Sequence, residues 1–319
     1  MMSDLERAVD AVVNECLGVR EGESVLVVCN PATLGLAERL RGAAGRAGGE
    51  AMLAMMAERA THGTEPPAAI AAAMKHADVV LCPTQQSLSH TAARREANEA
   101  GARIATLPEV TEEMLARVMS ADMAELRRRG AAVAHALDAA SRARITCANG
   151  SDLELHLDGR TAIPDAGEIR EPGAFGNLPA GEGFIAPLET EGGGTLVADG
   201  TIGGIGRVNP DEPVTVTVEN GRALGATGPQ GARLMEMLSA PGPEGTGVAE
   251  LGIGTNEKAI LTGNLLEDEK ILGTVHVAFG ASAAIGGTVN VPVHEDCVVV
   301  EPTLTVGSTT VVDAGRFML

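Results

Sequence analysis

The first part of the chain alternates between two spacings of apolar residues. "SVLVVCN" (24–30), "EAMLAMM" (50–56), "DVVLCPT" (78–84) and "ARIATLP" (102–108) are continuous apolar blocks of strand length. Between them, "PATLGLAERLRGAAGRAG", "PPAAIAAAMKHA" and "TAARREANEAG" carry apolar residues at helical spacing. Thr111 followed by two glutamates marks a further helix start in "TEEMLARVM", and "ADMAELRRRGAAVAHALDAAS" reads as a long closing helix. Strand and helix alternating in this way predict a parallel sheet with helices on both faces. We therefore expect a Rossmann-like α/β domain over residues 1–143.

From Arg144 the period drops to two. "RITCANGSDLELHLDG" alternates about an Asn-Gly turn, and "GTLVADGTIGG", "PVTVTVENGRA", "DCVVVEPTLTVG" and "TTVVDAGRFM" are short strands broken by glycine. Only "GPQGARLMEMLS" and "NEKAILTGNLLEDEK" have helical spacing. The second domain, 144–319, is thus expected to be a β-rich, mostly antiparallel α+β unit. "GTIGGIG" (200–206) superficially resembles a phosphate loop, but it opens no helix, so tight turns between strands are expected there.

Composition narrows the function. The formal charge of −19 argues against nucleic acid as a partner. No apolar run reaches the roughly 18 residues of a membrane span. The five cysteines are scattered without metal-type spacing, which suits a reducing, cytoplasmic setting. With no Trp or Tyr and four Phe, the core must be aliphatic.

Against that pattern, "VPVHEDCVVV" (291–300) stands out. It reads as a buried strand, yet it holds His294, Glu295 and Asp296. Period-two geometry puts His294 and Asp296 on one face and Glu295 on the other. His276 in "ILGTVHVAFG", Glu250 in "VAELGIGTN" and Glu182 in "GNLPAGEGFIAP" are also polar residues set in apolar or glycine-rich strands. Such groups are costly to bury unless paired or bound to a metal. Three carboxylates and two imidazoles suit Zn, Co, Mn or Fe, and five ligands could hold two ions. Each residue alone also fits an ordinary hydrogen-bonded strand position, and spacing cannot show that they converge. His62 and His76 read as surface residues, and His135 and His156 as structural ones. His90, at a helix start where N–H groups favour an anion, is the candidate substrate contact, with capping or packing as the plainer role. Glu269 and Lys270, seven and six residues before His276, are candidate acid–base groups, with a surface ion pair as the plainer role.

Taken in order, "GNLPAGEGFIAP", "VAELGIGTN", "EDEKILGTVHVAFG" and "VHEDCVV" resemble the aminopeptidase T family of metal-dependent aminopeptidases. The resemblance implies two divalent ions (Zn, Co or Mn) on Glu182, Glu250, His276, His294 and Asp296. Glu182, Glu250, Glu269 and Lys270 would be catalytic in a metalloaminopeptidase hydrolase acting on small peptides. It also implies a homodimer. The sequence departs from the family at Ala283, where a tyrosine is expected seven residues after His276. A related branch uses a similar scaffold with one Fe(II), held by two histidines and an aspartate, to cleave a dihydroxypyridine ring. Retention of both Glu182 and Glu250 favours the two-metal hydrolase over that alternative, and a catalytically silent member that keeps the scaffold for binding or assembly is the third reading.

Overall fold

The computed structural model describes residues 2–319. The chain folds as an N-terminal α/β domain with a parallel sheet followed by a β-rich α+β region. By packing it divides into two units: residues up to Ala121 with Gly167–Ala180, and Asp122–Ala166 with Gly181–Leu319. In the first unit, strands Ser24–Cys29, Glu50–Met55, Val79–Cys82 and Arg103–Thr106 are the four apolar blocks of the sequence, and they pair in parallel. Phe175–Asn177 returns to add a fifth strand beside Arg103–Thr106. Helices Leu34–Arg46, Ala68–Lys75 and Ala92–Glu99 connect the strands, and an aliphatic cluster around Val80, Leu88 and Ile104 fills one face of the sheet.

The second unit contains two sheets, of eight and seven strands. One large aliphatic cluster takes in residues of both, including Ile145, Leu155 and Val216 from the first and Leu251, Val277 and Val299 from the second. Helix Met123–Asp138 contributes Val133, Ala134 and Leu137 to the same cluster. Its start is fixed by Asp122, whose carboxylate accepts from the N–H groups of Ala124 and Glu125. "GTIGGIG" forms a tight hairpin in which Thr201–Ile202 pairs antiparallel with Gly206–Arg207. The helix expected over "NEKAILTGNLLEDEK" shrinks to Leu265–Asp268, because Asp268 turns inward. Its buried carboxylate accepts from the N–H groups of Thr262 and Gly263 and from the Thr201 hydroxyl, which fixes the preceding residues as a loop. No helix among the described residues is long and apolar enough to cross a membrane.

Candidate metal centre

Four adjacent strands of the seven-stranded sheet carry the polar residues: Glu182–Ile185, Val248–Gly254, Val275–Gly280 and His294–Val299. They pair antiparallel, and the register decides which side chains meet. Gly254 lies opposite Glu182, Gly252 opposite His276, and Glu250 opposite Ala278. Ala278 in turn lies opposite Asp296, and Gly280 opposite His294. Directly opposed residues share a face, so Glu182, Glu250, His276, His294 and Asp296 all project from the same side. Leu251, Ile253, Val275, Val277, Cys297 and Val299 alternate onto the other side and enter the core. On one side each ligand faces Gly254, Gly252, Ala278 or Gly280 across the ladder, which leaves room for the longer groups, while on the other side Glu182 faces Asp165 and His276 faces Val298. That small-residue signal was present in "ELGIG" and "HVAFG" but carried no weight without the register.

The donor atoms converge. His276 Nε2 is 3.2 Å from Glu182 Oε2 and 3.4 Å from Glu250 Oε1. His294 Nε2 is 3.4 Å from Glu250 Oε2 and 3.7 Å from Asp296 Oδ2. Donor atoms fall within 4.8 Å of one another in three groups: Glu182–Glu250–His276, Glu250–His294–Asp296 and Glu269–His276–Asp296. Asp296 is therefore the one carboxylate grouped with His294 in one set and with His276 in another besides Glu250. The Nδ1–H of His294 donates to the Ala281 carbonyl at 2.7 Å, which turns Nε2 toward the carboxylates. This backbone partner leaves no mark in the sequence.

Glu269 and Lys270 do not form a surface pair. Lys270 is fully buried, and its ammonium donates to Glu182 Oε1 at 2.6 Å and to Glu269 Oε1. Burial alone would lower the Lys270 pKa, but Glu182 and Glu269 push it up, so the ammonium stays charged. Burial pushes Glu269 up to about 8, against the pull of Lys270. For Glu182 and Glu250, burial is outweighed and the carboxyls are held below their ordinary value. Lys270 and His276 do this for Glu182, and His276 and His294 for Glu250. Burial would lower the histidines, yet the carboxylates raise both, His294 to about 10.

This set fits a divalent cation. Four buried carboxylates, Glu182, Glu250, Glu269 and Asp296, face one ammonium and two imidazoles. Buried Glu182 Oε2 makes no hydrogen bond, although His276 Nε2 lies near it. Mixed carboxylate and imidazole donors are those that first-row divalent ions take.

Elsewhere, Glu295 points to the opposite side of its strand, where a Cβ on Gly203 would meet its Oε2 at 2.3 Å. Ala283 is exposed in the short 3₁₀ turn Ala283–Ile285. His90 lies in the first unit, exposed, just before the Thr91 cap of helix Ala92–Glu99. The N–H groups of Ala92 and Ala93 at that helix start are taken by the carboxylate of Glu65.

Residues 4–319 match the model of the family described as NicX: 2,5-dihydroxypyridine 5,6-dioxygenase. Among solved structures, the 2,5-dihydroxypyridine dioxygenase from Pseudomonas putida KT2440 is similar, with a TM-score of 0.84 and 22% identity. That match covers 100% of this chain and 98% of the other. Wild-type AmpT from Thermus thermophilus is also similar, with a TM-score of 0.73 and 17% identity, covering 99% of each chain. At these identities the two structures show a shared fold. No curated protein matches the chain.

The whole-chain family match overturns the aminopeptidase T reading and, with it, the metalloaminopeptidase hydrolase and its peptide substrate. It also overturns the two-ion Zn, Co or Mn centre, since the donor groups suit a single Fe(II) site better. The physical reason lies in Lys270. Glu182 needs no second ion, because the Lys270 ammonium already compensates its charge. The missing tyrosine at Ala283 consequently marks no defect, because no peptide intermediate needs stabilising.

Proposed function

The chain belongs to the NicX family of 2,5-dihydroxypyridine 5,6-dioxygenases, and from that premise we propose that it is a mononuclear Fe(II) ring-cleaving dioxygenase. Its substrate class is a hydroxylated pyridine ring of the dihydroxypyridine type. His276, His294 and Asp296 would hold the iron, the two-histidine, one-carboxylate set of non-haem oxygenases. Bound there, ferrous iron supplies a redox-active centre for dioxygen and the ring hydroxyl. The reaction places both atoms of O₂ on the two carbons of the broken ring bond, so no external reductant is needed. Glu250, between the two imidazoles, orients both. Glu182 lies against His276 and is itself held by Lys270, and Glu269, raised by burial, can hold a proton beside Lys270. The absence of any disulfide among the described cysteines supports a cytoplasmic setting.

The placing of Asp296 with His294 in one donor group and with His276 in another, in a chain matched over residues 4–319 by this family, carries the reading. Anaerobic reconstitution with Fe(II), followed by metal analysis and an oxygen-electrode assay on 2,5-dihydroxypyridine, tests it. The expected result is one iron per chain and one O₂ consumed per ring opened. Two ions per chain with hydrolysis of aminoacyl-anilides would overturn it.

A further inference from the structure

We propose that Glu189 is a positioning residue of the metal centre, acting through the loop that joins the two histidine strands. The loop runs from Ala281 to Val293, between Val275–Gly280 and His294–Val299. Its first residue supplies the carbonyl that receives His294 Nδ1–H. What holds that carbonyl in place thus sets the direction of the His294 Nε2 lone pair.

Glu189 lies on a different segment, between strands Glu182–Ile185 and Gly193–Ala198, and is only 8% exposed. Its Oε1 accepts from Ser282 Oγ at 2.7 Å, from the Thr288 N–H at 2.6 Å and from Thr288 Oγ1 at 3.2 Å. Oε2 pairs with Arg160 Nη2 at 2.5 Å, and Arg160 Nη1 donates to the Gly286 carbonyl at 2.7 Å. One buried ion pair therefore grips the loop at residues 282, 286 and 288. Ser282 Oγ also accepts the Val289 N–H at 3.1 Å, which closes the loop on itself. Gly287 is required by the closeness of this grip: a Cβ there would stand 2.1 Å from Ser282 Oγ and 2.6 Å from Glu189 Oε1. Ser282, the residue fastened most directly, adjoins Ala281. The loop's own backbone bonds, Ala281 N–H to the Val293 carbonyl at 2.7 Å and Ser282 N–H to the Val289 carbonyl at 2.9 Å, join its two ends, and the carboxylate fixes Ser282 and Thr288 between them. Burying the pair costs desolvation, which its mutual attraction and the hydrogen bonds to Ser282, Thr288 and Gly286 offset.

The inference rests on the metal-centre reading above. The test is a Co(II) titration of purified metal-free protein, following the visible d–d bands, with thermal melting alongside. Glu189→Ala should fold, yet bind Co(II) roughly 10–100-fold more weakly, as loss of a group orienting a ligand does, with altered bands. Glu189→Gln, which keeps an acceptor for Ser282 and Thr288, should recover part of the affinity; a merely structural role would not separate the two at equal melting temperature. Should Glu189→Ala fail to fold, Ser282→Ala, which removes a single donor, decides by the same measurement. Wild-type affinity in whichever folded variant is measured overturns the proposal. A wild type that binds no Co(II) overturns the metal-centre reading, and this inference with it.

Discussion

Gly252 lies directly across the antiparallel ladder from His276, and a Cβ on Gly252 would stand 1.9 Å from the imidazole Nε2. The ring therefore lies over the glycine, in space that any side chain would fill. A strand-interior glycine costs about 0.5–1 kcal/mol relative to alanine, so its presence here reflects the close approach.

Gly252→Ala should accordingly stabilise nothing. It should displace the imidazole, lower the melting temperature through an overpacking cost of about 1–3 kcal/mol, and strip the protein of its iron. Gly225→Ala is the control, because a Cβ there has open space. Metal content after desalting, measured with thermal melts, checks this; equal iron in the two variants would contradict it.

The two faces of one strand give a second prediction. Asp296 faces the imidazoles, whereas Glu295 faces Gly203 and Gly204. Asp296→Asn should lose iron and ring cleavage together, while Glu295→Gln should retain one iron per chain. Parallel losses in both variants would refute the face assignment.

How much of this was legible beforehand depended on the range of the signal. The parallel sheet followed from local spacing, since each apolar block was bounded by its own helix signals. The facing of His294 and Asp296 also followed, because period two is a property of a single strand. The convergence of Glu182, Glu250 and His276 did not. It depends on the register of four strands drawn from residues 182 to 299, and spacing along the chain does not encode register. The polar run "EDEK" looked exposed because its four charges are adjacent. In the structure Glu267, Asp268, Glu269 and Lys270 are all buried: loop N–H groups donate to Glu267 and Asp268, and Lys270 donates to its neighbour Glu269 and to the distant Glu182. Lys270 is a candidate catalytic group on sequence grounds, but its ion pair with Glu182 is not legible there, so Glu182 reads as available to a second ion.

Lys270 yields a third prediction. Lys270→Met would leave Glu182 and Glu269 buried together without their cation, a loss of about 3–5 kcal/mol. Adding Glu182→Gln removes the stranded charge and should recover part of that loss. Urea unfolding of the wild type, both single variants and the double variant measures the coupling. Strict additivity would show that the ammonium does not act on Glu182.

The last prediction concerns pH and the first unit, away from the metal centre. Arg103 begins one parallel strand, and Glu23 immediately precedes another. Their side chains form two hydrogen bonds, Nη1 to Oε1 at 3.0 Å and Nη2 to Oε2 at 2.6 Å, and Oε2 also accepts the Arg20 N–H at 2.8 Å. Burial pushes the Glu23 carboxyl upward, but the Arg103 and Arg20 bonds outweigh it and hold the pKa below its ordinary 4.5. A carboxyl whose native pKa is depressed binds a proton more readily when unfolded. Its stabilisation is therefore fully present above the ordinary value and is lost as pH falls through the native one. Glu23→Gln should cost about 2 kcal/mol at pH 7, where charge-assisted bonds are replaced by weaker ones. Between pH 5 and the acid side of the native pKa, the wild-type melting temperature should fall toward that of the variant. A gap between the two proteins that stays constant across that window would show that the ionised Glu23 carboxylate contributes nothing beyond its shape.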